Sequence, residues 1–389
     1  MNTKRAKTKN TMLRKSKSKS TLPDQAQNTS ATASPAARFG RRSFLKRLGS
    51  GSAVILPAGG LLASQTVSRA EGIRGLTRGD AAILRFLAAI EIIETDLWQQ
   101  YNELALGNEA FQTALAVLDG DMPTYVNQNT RDEVSHQDFL NAYLASKGQK
   151  QVSLEPFRRL PSSQATGANQ SAKRLTNLTD LTVDTSWYTR YRGTGNPDFG
   201  DNFPQIVNLV HVPGIPAANL PVNSDAVQLI ANTAGFHFAT VEEGGSSLYS
   251  SMLPKATSTE VIKIIASIGG TEIQHFEVWQ DKAGNAPPVP MDTGTLFPAL
   301  PLSPDQSPNG IDPADPIDTN QIMPRPCQFI SPHLPLCSVI RPTSTREAGA
   351  KATVAFFTDM GLFQGQSPAF FDFLMALAEE ADDAMRAFI

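Results

Sequence analysis

Two of the five histidines in this 389-residue sequence follow a glutamate by three positions, in Glu133-Val-Ser-His136 and Glu272-Ile-Gln-His275. On an α-helix, residues three positions apart lie on the same face, so the carboxylate and the imidazole of each pair can converge on one ion. One such pair is a weak indication, because solvated helix surfaces also carry charged pairs. Two of them among so few histidines predict a metal site built from two helices.

A further glutamate precedes each pair in an earlier segment. Glu94 is followed seven residues later by Tyr101, and Glu242 is followed seven residues later by Tyr249. The sequence thus contains, twice in succession, a glutamate followed by a Glu-x-x-His motif. Helix bundles that bind two metal ions through carboxylates have their ligands in this order. Four glutamates offset the charge of two divalent ions, and one imidazole per ion suits Fe or Mn and leaves positions for O2, peroxide or water.

Apolar residues recur at helical spacing in four long segments that can position these side chains. Thr77 with Asp80 predicts the start of the first helix, and Thr257 with Glu260 predicts a capping box for the fourth. We expect the helices at about 77–106, 123–147, 224–253 and 257–284.

A long crossover separates the second and third predicted helices. Residues 149–222 are rich in Thr, Asn, Gly and Pro, and 178–191 alternates enough for a short strand pair. Prolines exclude regular helix from 286–345, which predicts an extended wrap, and helix returns at 347–361 and 368–389. The sequence therefore predicts an all-α fold, a four-helix bundle over 75–285 with a Pro-rich C-terminal extension over 286–389.

The first 70 residues predict an export signal. Arg41-Arg42-Ser43-Phe44-Leu45-Lys46 resembles the twin-arginine motif, a mildly apolar stretch follows, and Ser68-Arg69-Ala70 offers small residues for cleavage. The stretch is too short and too interrupted for a stable membrane anchor. We expect the twin-arginine export machinery as a partner and a periplasmic or extracellular location.

Charge and cysteine content narrow the classes of function further. Residues 1–70 hold 14 of the 34 basic residues and one acid, so 71–389 hold 20 basic and 36 acidic residues. A surface that acidic argues against nucleic acid and anionic membranes as partners. Cys327 and Cys337 are too few for an all-cysteine zinc site, and an exported protein favours a disulfide between them over two free thiols.

Two helix segments carry a family resemblance. The sequences FLAAIEIIETDLW at 86–98 and FATVEE at 238–243 resemble the first-helix and third-helix signatures of the ferritin-like superfamily, most of all those of exported desiccation-related ferritin-like proteins. The resemblance implies a ligand set for two Fe or two Mn ions: Glu94, Glu133, His136, Glu242, Glu272 and His275. It leaves four residues as candidates for supporting the ligands by hydrogen bonds: Glu91, Tyr101, Glu243 and Tyr249.

Two choices in that ligand set rest on the alignment of the first and third helices. Glu91 and Glu94 lie on the same helix face, and matching the two helices favours Glu94. The same match favours Glu242 over Glu243.

The resemblance implies dimetal redox chemistry, either oxidation of Fe(II) or removal of peroxide in stress protection. A metal-free structural or protective envelope protein with the same scaffold is the first alternative, and a manganese-catalase-like enzyme is the second. The crossover and the Pro-rich extension disfavour packing into a storage cage, although an oligomer is compatible with the sequence.

Overall fold

The computed structural model describes residues 75–187, 205–291, 293–298, 326, 330–337 and 349–387. Most of these residues are helical, and the strands are short, so the all-α prediction is confirmed. The helices are α1 (Arg78–Gly107), α2 (Glu109–Leu118), α3 (Met122–Ser146), α4 (Asp225–Met252), α5 (Thr259–Gly284), α6 (Ala350–Asp359) and α7 (Pro368–Asp382).

The bundle consists of α1, α3, α4 and α5. Helix α1 packs along α3, and α4 packs along α5, while the short helix α2, which the sequence did not predict, packs against α4. A continuous apolar core runs through the bundle, and α1 and α4 are buried along almost their whole length. Because these two helices are covered on most sides, they can hold polar groups away from water.

One aspartate joins the starts of two bundle helices. The backbone N–H of Asp80 donates to the Thr77 hydroxyl at 3.0 Å, which confirms the predicted start of α1. The Asp80 carboxylate accepts from the backbone N–H groups of Thr257 at 2.8 Å and Ser258 at 3.1 Å. The capping box predicted from Thr257 and Glu260 is therefore wrong, because Glu260 instead pairs with Lys147 at 2.6 Å.

The crossover between α3 and α4 is held by small antiparallel strand pairs. The strands are β1 (Leu160–Pro161), β2 (Lys173–Arg174), β3 (Leu181–Val183), β4 (Leu209–Val212), β5 (Val289–Pro290) and β6 (Leu296–Phe297), paired β1–β2, β3–β4 and β5–β6. Strand β3 lies inside the stretch expected to form a strand pair, but its partner β4 comes from further along the chain, beyond that stretch.

Asp96 on α1 anchors the crossover to the bundle. Its fully buried carboxylate accepts from the backbone N–H groups of Leu175 and Thr176, both at 2.9 Å, and from the Thr176 hydroxyl at 2.7 Å. The Arg158 guanidinium donates to its other oxygen at 2.5 Å. This carboxylate therefore satisfies several groups that would otherwise be buried without partners.

We expect Asp96→Ala to lower the free energy of unfolding by about 2–4 kcal/mol, because it leaves two buried backbone donors unpaired, whereas Arg158 keeps its ion pair with Glu155. Urea unfolding followed by circular dichroism measures the change, with the exposed Asp138→Ala on α3 as control. A loss below about 1 kcal/mol, the effect of an ordinary surface substitution, would contradict the anchoring role.

The two C-terminal helices pack back onto the bundle. Helix α7 lies against α1, where Arg85 donates to Glu380 at 3.1 Å, and α6 packs against α7. Both helices fall within the stretches that the sequence predicted. Among the described residues, none of the helices is long and apolar enough to cross a membrane.

Candidate metal centre

The interior of the bundle contains a cluster of carboxylates and imidazoles contributed by all four helices. Two overlapping groups have ligand atoms within 4.8 Å of one another: Glu91, Glu133, His136 and Glu272 form the first, and Glu133, Glu242, Glu272 and His275 form the second. Glu133 and Glu272 belong to both groups. The arrangement could therefore hold two cations side by side, with two carboxylates between them.

The first group surrounds one nitrogen of His136. Its Nδ1 lies 3.0 Å from Glu133 Oε2, 3.4 Å from Glu91 Oε2 and 3.4 Å from Glu272 Oε1. One N–H cannot point at three oxygens at once. Three carboxylate oxygens and one imidazole nitrogen that face a common point have the donor types of an Fe or Mn site.

The second group repeats this arrangement around His275. Its Nδ1 lies 3.1 Å from Glu133 Oε1 and 3.2 Å from Glu242 Oε2. The two oxygens of Glu133 thus face different histidines, one in each group. A carboxylate placed in this way can bridge two ions.

Glu272 is the other shared carboxylate, and it is incompletely satisfied by the protein. It is fully buried, and no described residue donates a well-formed hydrogen bond to either oxygen, although His136 Nδ1 lies 3.4 Å from Oε1 and the carboxyl of Glu242 is close enough to share a proton with it. Gly245 on α4 lies against it, so that a Cβ at this position would collide with Glu272 Oε2. A buried carboxylate without donors is costly unless a cation or a proton compensates it, which supports a metal at this point.

Burial and mutual repulsion favour protonated carboxyls when no metal is present. Burial, followed by the charges of Glu133 and Glu242, raises the pKa of Glu272 well above its usual value. Glu94, which is also buried, has its pKa raised well above normal by burial and then by the charge of Glu91. Burial also raises the pKa of Glu242, although His275 opposes the shift.

The same negative charges also raise the pKa values of the histidines, whereas burial lowers them. Burial lowers the pKa of His136, but Glu91 and Glu133 outweigh it and raise the pKa to about 10. For His275 burial again lowers the pKa, and Glu242 and Asp132 outweigh it, so that the pKa is well above normal. The metal-free cluster therefore holds protons that a divalent cation would displace.

Two side chains hold the glutamates from behind. The Tyr249 hydroxyl donates a short hydrogen bond to Glu91 Oε1. Asn129 Nδ2 donates to Glu133 at 2.7 Å and to Glu242 at 3.0 Å, and its Oδ1 accepts from the Trp279 indole at 2.8 Å. Asn129 was not among the predicted site residues, although it lies four residues before Glu133, on the same helix face.

Asp132 orients His275 from the outer side. Its Oδ2 lies 3.2 Å from His275 Nε2, which leaves Nδ1 directed at the glutamates, and this hydrogen bond is the largest cause that lowers the pKa of Asp132. A carboxylate on the remote nitrogen of a histidine fixes its tautomer and raises its basicity as a ligand. Asp132 was also not among the predicted site residues, though it directly precedes Glu133.

We expect Asp132→Asn to weaken metal binding about 10–100-fold, the usual cost of losing such a partner. Competition titration of Mn(II) against a chromophoric chelator measures the change. Asp138→Asn on the same helix, and exposed, is the control. Equal affinity in both variants would show that Asp132 does not orient the ligand.

The structure brings together five of the six predicted ligands and adds one of the four residues that were predicted to support the ligands. The five are Glu133, His136, Glu242, Glu272 and His275, and the added residue is Glu91. Glu94 is buried beside the cluster but belongs to neither group.

Two of the remaining candidates, Glu243 and Tyr101, belong to neither group of possible ligands. Glu243 is buried next to Glu242, and the Tyr101 hydroxyl bonds to His237, away from the glutamates. Arg41, Arg42 and Cys327 lie outside the described residues, so the export motif and the Cys327–Cys337 disulfide stay predictions.

Comparison with known proteins agrees with this architecture. No curated protein and no solved structure gave a significant match. The family model of the ferritin-like domain matches residues 79–285, which is more than half of the chain and contains every residue of the cluster. The chain therefore belongs to the ferritin-like domain family.

Proposed function

We propose that the cluster holds two Fe or two Mn ions, with Glu133 and Glu272 shared between them. Glu91 with His136 completes one site, and Glu242 with His275 completes the other. The observation that carries the proposal is the position of Glu133, whose two oxygens lie 3.0 Å and 3.1 Å from the Nδ1 atoms of different histidines. In this proposal Glu91 takes the ligand position for which the sequence favoured Glu94.

The charge of the cluster fits two divalent cations. Four glutamates with two neutral histidines offset two divalent ions, whereas a metal-free cluster must take up protons to relieve repulsion. Carboxylate and imidazole donors suit Fe and Mn, and they leave coordination positions open for a small oxidant.

Redox chemistry with peroxide or O2 is the activity that this donor set supports best. The bound ions would supply electrons to the oxidant, and the protein would position them and limit access of water. The glutamates of the two groups are at most 1% exposed, whereas His136 and His275 are each 8% exposed and Asp132 is exposed. We therefore propose that small oxidants approach from the α3–α5 side, where the imidazoles lie.

The location and the physiological role belong to the same proposal. A twin-arginine signal would deliver the folded protein to the periplasm or the exterior, where peroxide removal or Fe(II) oxidation would protect the cell under stress such as desiccation. A metal-free protective scaffold is the competing function. The buried cluster of four glutamates counts against it, because burying and protonating so many carboxyls costs free energy that a scaffold without metal need not spend.

Peroxide consumption distinguishes the activities. Protein loaded with Fe(II) or with Mn(II) is mixed with hydrogen peroxide, and peroxide, dissolved O2 and metal oxidation state are followed together. Consumption of one peroxide per two Fe(II) without O2 release supports peroxide removal coupled to iron oxidation. Release of one O2 per two peroxides supports catalase-like disproportionation. Consumption no faster than with free metal would contradict both.

A further inference from the structure

A cavity of about 350 Å³ lies outside the metal cluster, between the crossover and the turn that joins α6 to α7. Backbone hydrogen bonds join these two segments. The Thr182 N–H on β3 donates to the carbonyl of Met360, and the Asn177 N–H donates to that of Leu362, both at 2.8 Å. Small-molecule sites in proteins are mostly preformed cavities of about 300–1,000 Å³. This cavity has such a size, and the backbone fixes its walls.

The crossover side of the cavity carries a histidine in a conformation that is rare for its residue type. His211 on β4 has φ +56°, in the left-handed region. Strain of this kind in a residue other than glycine occurs most often at functional sites. The side chain is 76% exposed, yet its Nδ1 donates to Asp180 Oδ1 at 2.9 Å, which leaves Nε2 as the free nitrogen. The fold thus fixes an exposed imidazole at the cavity.

Two glutamines on the opposite side keep hydrogen-bonding groups without partners among the described residues. Gln366 Nε2 donates to the carbonyls of Phe157 and Leu175, at 3.2 Å and 2.9 Å, while its buried Oε1 accepts from no described group. Gln364 is used in the opposite sense, since its Oε1 accepts from Asn177 Nδ2 at 3.2 Å and its N–H groups remain. One acceptor and one donor are therefore left for a ligand. A buried acceptor that lacks a donor is unfavourable in the free protein.

The charge of the cavity is negative, and its apolar part is aromatic. Among the described residues, those that line it include the carboxylates of Asp180 and Asp359 but neither lysine nor arginine. The ring of Phe371 is half-buried, and edge-on contacts with Phe363 at 6.2 Å and Phe370 at 5.6 Å hold it in place. A ligand of this cavity therefore meets acceptors, amide donors and one fixed ring.

This combination selects one class of ligand over two others. An anion would face two carboxylates, so phosphates and organic acids are disfavoured. An ammonium ion suits carboxylates, but it only donates, so the N–H groups of Gln364 would find no acceptor on it. A hydroxyl group both donates and accepts without charge. Several hydroxyls on an otherwise apolar ring match the mixed polar groups and the phenyl ring together.

We propose that this cavity binds a neutral saccharide of one or two rings. Asp359 and Gln366 Oε1 accept hydrogen bonds from its hydroxyls, and Gln364 donates to a sugar oxygen. The ring of Phe371 packs against the C–H face of the sugar. The proposal does not depend on the metal centre, because none of the lining residues belongs to the cluster. It adds a saccharide-binding function outside the four-helix bundle.

Ligand-observed NMR tests the proposal with named sugars. Saturation-transfer difference spectra of the whole protein, with its metals as purified, are recorded with maltose, cellobiose and lactose. Each sugar is present at about 10 mM, a concentration that detects millimolar binding. Glycerol, which has hydroxyls but no ring, and putrescine, which has only ammonium groups, are the comparison probes. We expect transfer to the protons on one ring face of at least one disaccharide, and little transfer to either comparison probe.

Two outcomes of these spectra would overturn the proposal. The first is no transfer to any of the three disaccharides. The second is transfer to glycerol or putrescine that equals or exceeds the disaccharide signal, because the cavity would then recognise no sugar ring.

Two substitutions with matched controls locate the binding. Phe371→Leu removes the ring from the cavity, whereas Phe373→Leu makes the same change two residues later on α7, outside it. Asp359→Asn removes a charged acceptor, whereas Asp372→Asn makes the same change at an exposed position of α7, also outside the cavity.

We expect each cavity variant to bind the sugar about 10-fold more weakly, as for loss of an aromatic contact or of the charge in one hydrogen bond. Both controls should bind it as the parent does, and all four proteins should keep the metal content of the parent. Thermal unfolding without sugar shows that each variant is folded, and the exposed Asp359→Asn decides the matter if Phe371→Leu is not. Unchanged affinity in the folded cavity variants, or equal losses in their controls, would overturn the proposal.

Discussion

Glu133→Gln is expected to abolish the binding of both metal ions in a protein that stays helical. Each oxygen of Glu133 faces a different histidine, so this substitution removes the negative charge that both sites share and replaces one of the two ligand oxygens with an NH2 group, which cannot bind a cation. Loss of a partner behind a ligand already costs 10–100-fold in affinity, so loss of a shared ligand should exceed about 100-fold. Metal analysis after dialysis against a weak chelator gives the stoichiometry, and circular dichroism gives the helix content.

The matched control lies on another helix of the same bundle. Glu277→Gln on α5 makes the same chemical change five residues after Glu272, at a position outside both groups. It should retain two ions per chain. If Glu133→Gln also retains both ions with unchanged affinity, the shared position of this carboxylate is wrong.

The second large effect is a loss of stability of the metal-free protein as pH rises. Glu94, Glu242 and Glu272 have raised pKa values because of burial, and His136 and His275 have raised pKa values because of the facing carboxylates. Each group holds its proton more tightly in the folded than in the unfolded chain. The stability they contribute is therefore present below their unfolded pKa values and is lost as pH rises.

The pH range of this loss follows from those shifts. The carboxyls begin to lower the stability above about pH 4.5, and the histidines do so above about pH 6.5. The loss of stability from His136 continues to about pH 10. Each extra proton bound by the folded state costs about 1.4 kcal/mol per pH unit. The chelator-treated protein should thus lose several kcal/mol between pH 5 and pH 9.

Added metal should reverse the effect. A cation replaces the protons, and an ion that binds only the folded protein adds about 4 kcal/mol at a thousandfold excess over its Kd. Thermal unfolding at pH 5, 7 and 9, with chelator and with Mn(II), measures both effects, and Glu272→Gln should reduce the pH slope. Stability of the chelated protein that is flat or rising over this range would contradict the cluster's protonation.

The bundle could be predicted from the sequence because its signals are local. Helix α4 begins at the predicted Ser224-Asp225 start, and α3 has the expected proline in its first turn. Tertiary structure decided what local signals could not. Asp80 at the start of α1 caps the start of α5, and β3 pairs with β4, which lies outside the stretch expected to form a strand pair.

The residue types of the buried cluster could be predicted from the sequence, but the choice between Glu91 and Glu94 could not. The choice of Glu94 assumed that Tyr101 and Tyr249 play equivalent parts, since both follow a glutamate by seven. In the structure Tyr249 bonds to Glu91, whereas Tyr101 bonds to His237. If Glu91 rather than Glu94 is aligned with Glu242, then Glu94 aligns with Gly245. The sequence alone does not choose between these two alignments of α1 with α4, because the choice depends on how the helices pack.

Contacts across helices also explain the residues that were missed. Asn129 and Asp132 have no distinctive spacing, and each acquires its role from a partner on another helix. Such pairs become visible only when the helices are assembled.

The most direct test is the metal content of the protein purified after native export, without added metal or chelator. Mass spectrometry of the native protein gives the number of ions per chain and their identity. We predict two ions of Fe or Mn per chain in the parent protein and none in Glu133→Gln. A parent protein that carries no metal and takes up neither Fe(II) nor Mn(II) would contradict the dimetal centre and favour the protective scaffold.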